Sequence, residues 1–241
     1  MFYNLTFEFS IEKLVHAIAY FSKSGIRDLT KLKAAKLLYF ADKRHLLEHG
    51  RPILGDVYFC MDFGPAPSVS LNEMSAAITD PEVVSTNAGD ASDAGLFSKV
   101  LNVKKLFHKY PRFEVRDGGY DPSVFCQTEL GALQYTVNMY GFKSAKELVD
   151  ITHNEPTWII PNEGRPRRSR ALITYDLFFK GAPERSQRFL GKLVAEQFGA
   201  AIPLAGDADY VNFANELASF NFTPEEVPEA DTRSATRFSR A

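Results

Sequence analysis

The segment KLLYFADKRHLLEHGRPILGDVYFCMDFGPAP, residues 36–67, constrains the fold of this chain more than any other. Its first half places apolar residues at helical spacing and closes on Gly50, the residue type that most readily ends a helix in the left-handed conformation. The pattern then changes abruptly. Pro52 and the Gly55-Asp56 turn signal lead into VYFCMDF, whose β-branched and aromatic residues predict a short strand or extended run. Gly64-Pro65 and Ala66-Pro67 follow, and proline both fixes its own φ and moves the preceding residue out of the helical region. The chain must turn sharply here, beside the helix it has just left.

Flanking segments read as further helices. Ser10 is placed to cap a helix over 11–24, with Ile11, Leu14, Val15, Ile18 and Ala19 on one face and Gly25 after it. Thr30 precedes the long helix that ends at Gly50, in which Leu32, Ala35, Tyr39 and Leu46 predict the buried stripe while Lys33 and Lys43 point elsewhere. A helix over 69–78 precedes TDPEVVSTNAGDASDAG, small and polar enough for an exposed, mobile loop. The run around Phe113 and Val115 predicts a second strand, able to pair with the first. CQTELGALQYTVNMYG supplies a helix ending at Gly141. SAKELVDITHNEPTW supplies another, begun by the Ser144/Glu147 capping box. A short helix holds Asp176, Leu177, Phe178 and Phe179, capped by Thr174. The expected fold is therefore mainly α: a compact helical domain over 1–181 with one small two-stranded sheet or extended segments. Two amphipathic helices form an appended extension over 182–220, the second capped by Asp207. The charged segment 221–241 has too little apolar content to fold alone.

Composition narrows the function classes. A net charge of −2 provides no global field for DNA or an anionic membrane, so nucleic-acid binding would have to rest on a local patch. The two cysteines, Cys60 and Cys126, form no CxxC spacing, and no 18-residue apolar run occurs, which together predict a cytosolic, membrane-independent protein. Twenty Phe and ten Tyr supply aromatic area for a core or for a binding face.

No constellation of residues requires catalysis. His45 and His49 have the i, i+4 spacing of two metal ligands, but Leu46 stands where the zincin motif needs its Glu, so no metal or cofactor is expected. His153 falls near a helix C-terminus, where a partly positive imidazole complements the dipole. The one basic patch is GRPRRSR, residues 164–170, with Arg165, Arg167, Arg168 and Arg170. It lacks interleaved aromatics for base stacking, and arginine forks also match carboxylates on a protein surface. Around the rigid turns, Lys36, Asp42 and Arg51 are placed for polar contacts. Tyr39, Tyr58 and Phe63 serve either the core or a pre-organised docking face.

The 36–67 segment resembles the signature of the Panacea, or SocA-like, antitoxin domain: a K-L-x-Y-x-A-D helix, then G-x-P-[IL], then an extended run ending in G-P. YGFKSAKELVDITHNEPTW resembles the second signature of the same family, closing on T-H-x-E-x-x-W with His153 and Trp158. The resemblance covers roughly residues 11–180. It implies a non-enzymatic helical domain from bacterial or prophage toxin–antitoxin pairs, within phage defence. Such a domain neutralises by direct binding a toxin encoded by a neighbouring gene. A proteolytic adaptor that delivers its toxin to an ATP-dependent protease is the alternative within the family. A hydrolase or metal-dependent enzyme using His153, Glu155 and Asp42 is the alternative outside it. Two departures stand out: Cys126 where the family has Ser at a helix start, and G-P-A-P where G-P-V is commoner.

Overall fold

The computed structural model describes residues 5–80, 95–105 and 110–198. Helix α1 spans Ile11–Lys23 and α2 spans Lys31–His49. The Ser10 hydroxyl accepts the Lys13 N–H, and Gly50 ends α2 at φ 75°, both as the sequence predicts. Strands β1 (Tyr58–Met61) and β2 (Gly64–Pro67) form a tight hairpin, and α3 (Ser68–Thr79) follows directly. Helix α4 (Leu96–Val100) leads into β3 (Leu101–Lys104), β4 spans Arg112–Val115, and a 3-10 turn covers Pro122–Val124. Then come α5 (Gln127–Tyr140), α6 (Ala145–Thr152), α7 (Pro156–Asn162), β5 (Ala171–Ile173), a second 3-10 turn over Tyr175–Phe179, and α8 (Glu184–Phe198).

Helix α2 is the axis of the molecule. Every residue from Lys33 to Asp42 is buried, because α5, α6, α8 and the β1–β2 hairpin pack around it. An apolar stripe is not enough for such a position, so Lys33, contrary to the expectation that it points outward, lies inside and pairs with Asp28 at 2.6 Å. Of the expected stripe, Ala35, Tyr39 and Leu46 are buried and Leu32 is half-buried.

Two small antiparallel sheets replace the single expected one. The first has the order β2-β1-β5, with Tyr58 opposite both Pro67 and Ile173. Pro65 and Pro67 are tolerated because β2 is an edge, where a missing N–H breaks no ladder on its outer side. The second sheet pairs β3 with β4. The Phe113 strand thus joins Leu101–Lys104, not β1; it also lies against the start of α2, where Phe113 N–H donates to Leu29 O.

Two more helix predictions change. The element read as one helix from Ser144 to Trp158 breaks at residues 153–155, because Pro156 forces Glu155 into extended backbone (φ −89°, ψ 141°) and opens α7 at its first position. The Tyr175–Phe179 turn is 3-10 rather than α, and the Thr174 hydroxyl makes no capping bond. Helix α8 is not merely appended: Leu193 and Val194 are buried in the common core, and Phe189 lies over Gly50. The expected loop over 81–94, the helix over 207–220 and the segment 221–241 lie outside the described residues.

Candidate functional site

Tertiary packing brings the two signature segments, separated by 72 residues of chain at their nearest, into one junction. On the α2 side, the Asp42 carboxylate organises the helix exit: Oδ1 accepts the N–H groups of Ile53 and Leu54 at 2.9 Å each, and Oδ2 accepts the Tyr58 hydroxyl at 2.9 Å. Lys36, 1% exposed, donates its ammonium to Pro65 O at 2.9 Å and so fastens β2 to α2. Gly64 is required where it stands. Its φ is +93°, and a Cβ there would sit 2.5 Å from Lys36 Nζ and 2.6 Å from Thr152 Oγ1.

The second segment closes over this frame. The Tyr39 hydroxyl and Thr157 Oγ1 are 2.6 Å apart, Lys43 pairs with Glu155, and Trp158 Nε1 donates to Met61 O at 3.0 Å. The Cys60 thiol points at Trp158 O, 3.6 Å away. The His153 ring stacks on the Trp158 indole at 3.9 Å and 14°. Burial, and secondarily the Lys36 charge, hold this imidazole below its ordinary pKa, so it is not the positively charged helix terminator that the sequence suggested.

Asp56 gives the hairpin its second anchor. Helix α3 begins after Pro67, which has no capping side chain, and the Asp56 carboxylate supplies the cap from across the chain by accepting Val69 N–H, Ser70 N–H and the Ser70 hydroxyl. Tyr175 OH binds Asp56 O at 2.7 Å. Burial sets the protonation of these groups. It raises the Asp42 pKa to about 7 and the Asp56 pKa to about 6 against their hydrogen bonds, and lowers Lys36 to about 7.

Beside the junction lies the arginine loop, whose four arginines have different positions. Arg165, with 6% of its side chain exposed, bonds Asp62 at 2.7 Å and also Asn162, Pro166 O and Ser169 O. It is an internal strut. The Asp62 carboxylate, held below the usual carboxylate range by Arg165, also accepts the Arg168 N–H, and Arg168 itself has φ 65°. Arg167, Arg168 and Arg170 reach solvent, with Arg170 over the Phe59 ring at 4.6 Å. Phe63, at the hairpin tip between Asp62 and Gly64, is 54% exposed.

Of the residues singled out from sequence, Lys36, Tyr39, Asp42 and Tyr58 are therefore interior and cannot touch a partner, whereas Phe63, Arg167, Arg168 and Arg170 can. His153 and Trp158 are part of the junction. Arg51 is exposed at the far end of α2, with its guanidinium 3.7 Å from Cys126 Sγ. The triad considered for hydrolysis is not assembled as one: Asp42 is spent on the helix exit, Glu155 on Lys43, and His153 on Trp158. Asp56, Asp62, Thr152 and Thr157 escaped sequence reasoning. Only Asp56 had a local signal, the Gly-Asp turn. His45 and His49 do lie side by side, 4.8 Å between ring centres and tilted by 39°, but Nε2 of His45 turns toward Thr128 on α5.

A family model described as antitoxin SocA-like, Panacea domain, matches residues 35–159, which lie within the span 11–180 of the sequence resemblance. Neither the comparison with curated proteins nor that with solved structures gives a match. The matched residues run from the second turn of α2 through the Trp158 lock, take in the whole junction and amount to more than half of the chain, which therefore belongs to the SocA-like antitoxin family with a Panacea domain.

Proposed function

We propose that this protein neutralises a cognate toxin by binding it directly, with the hairpin tip at Phe63 and the exposed arginines 167 and 168 as the contact face. The family to which the chain belongs supports an antitoxin role in general. One observation carries the finer reading: at the junction of the two signatures, Lys36, Asp42 and Trp158 commit their polar atoms to backbone groups of the hairpin and helix exit, and an apolar ring and two guanidinium groups are presented outside. Such a face is pre-organised, because Asp62 and Arg165 fix the loop before any partner arrives. A rigid aromatic anchor flanked by arginines is the composition of an interface hot spot, and the matching surface on the toxin carries carboxylates around an apolar socket.

Co-expression with the neighbouring open reading frame tests the reading. That frame alone should arrest growth, and this chain should restore it. Phe63→Asp and the double change Arg167→Glu/Arg168→Glu should each weaken a purified complex about tenfold or more without altering the thermal midpoint of the free protein. A non-toxic neighbour, or full rescue by both variants, would remove the proposal.

A further inference from the structure

On the α5 side of α2, His45, Cys126 and Glu129 bring one nitrogen, one sulfur and one carboxylate oxygen within 4.8 Å of one another. We propose that these three residues form a binding site for a divalent cation of the zinc class. Zinc takes mixed N, S and O donors at about 2.0 Å to nitrogen and about 2.3 Å to sulfur, which in a tetrahedron sets neighbouring ligand atoms about 3.5 Å apart. The cluster needs to close by little more than an ångström, and the exposed Cys126 side chain makes that movement by giving up its contacts with Thr128 and Arg51.

Each ligand is already prepared. His45 is fully buried, and its Nδ1 lies 2.7 Å from the Arg51 carbonyl; that acceptor keeps the proton on Nδ1 and leaves the Nε2 lone pair directed into the cluster, as in histidines that hold metals. The Thr128 hydroxyl lies 3.0 Å from Nε2 and 3.1 Å from Cys126 Sγ, between the two ligand atoms, and a cation entering there displaces it by rotation of the threonine side chain. Glu129 is 2% exposed and ionised; Lys13 Nζ at 2.7 Å and Cys126 N–H at 2.9 Å take one lone pair from each oxygen, and others remain for a cation.

Two positive charges stand nearby, Lys13 and Arg51. Thiolate and carboxylate together cancel the charge of the cation, and Arg51, being exposed, can swing away. Binding transfers the Cys126 proton to solvent, so affinity rises with pH. Cys126 and Glu129 form the reciprocal pair of a capping box at the start of α5, but a thiol accepts more weakly than a hydroxyl, so serine would cap this helix better than sulfur does.

Cobalt(II) is the probe, added to the full-length protein in a non-chelating phosphine reductant, with zinc as competitor. One equivalent should produce a thiolate-to-cobalt charge-transfer band that zinc displaces, and zinc should raise the thermal midpoint in a concentration-dependent way. Cys126→Ser, which keeps or improves the cap, should fold normally, lose the band and bind zinc at least about tenfold more weakly. Glu129→Gln should weaken zinc while leaving the sulfur band. A folded wild-type chain that shows no band in excess cobalt would overturn the site, as would Cys126→Ser binding zinc with undiminished affinity.

Discussion

Asp42 shows how a single residue holds the α2 exit. Its carboxylate satisfies two buried N–H groups and a buried hydroxyl, so Asp42→Ala should cost about 3 kcal/mol in urea unfolding. Asp42→Asn keeps an oxygen for both N–H groups and should cost about 1 kcal/mol. The same residue makes stability depend on pH. With its folded pKa raised to about 7, the native state retains a proton that the unfolded chain loses near pH 4, so stability should fall as pH rises from the ordinary carboxylate range to about 7, with Asp56 adding to the fall up to about 6. Lys36 has the opposite sign. Its folded pKa is lowered to about 7, so the unfolded chain binds the extra proton and stability should rise with pH from there toward the ordinary lysine value. Thermal midpoints should therefore pass through a shallow minimum near neutrality. Asp42→Asn should flatten the acidic side and Lys36→Met the alkaline side; a profile unchanged in both would show that burial does not set these protonation states. Gly64→Ala should lower stability by about 2 kcal/mol or more, since alanine must adopt positive φ and meets Lys36 and Thr152 at once.

Among the elements, the hairpin, the α6–α7 break and the arginine loop act as one unit. Pro156 breaks the helix just where Thr152 and His153 must face Gly64 while Thr157 and Trp158 turn back to Tyr39 and Met61. An uninterrupted helix would carry its side chains round at about 100° per residue and could not present both pairs to the same neighbour. Within the loop, Arg165 and Arg167 should separate cleanly. Arg165→Ala removes the largely buried partner of Asp62 and should lower stability by about 2 kcal/mol and weaken toxin binding as the loop loosens. Arg167→Ala should leave stability within about 0.5 kcal/mol while weakening binding alone. Equal stability losses in the two variants would show that Arg165 is no strut.

For the whole molecule, α2 is enclosed by elements from both ends of the described chain, α8 included. Phe189 covers Gly50, Leu193 and Val194 enter the core, and Gln197 exchanges two hydrogen bonds with Thr6. Ending the chain at 183 should lower stability by roughly 4 kcal/mol or more from lost apolar burial; a truncated chain with an unchanged unfolding midpoint would show α8 to be dispensable. Much of this architecture was legible locally. The caps at Ser10 and Ser144, the Gly50 stop and the short strand at Tyr58–Met61 follow from constraints that act within a few residues of where they are written, whereas Gly64–Pro67, expected as a sharp turn, pairs as strand β2. Other features were not, because they depend on distant partners: the burial of Lys33, the pairing of Phe113 with Leu101–Lys104, the Asp56 cap on α3, and the meeting of His45 with Cys126 and Glu129. By itself the sequence determined that a helix must leave through rigid turns and that a second capped segment lies downstream, since backbone sterics and capping are short-range. Only the tertiary structure decided which side chains face inward and which reach a partner, since burial and long-range hydrogen bonds exist only once the segments have packed.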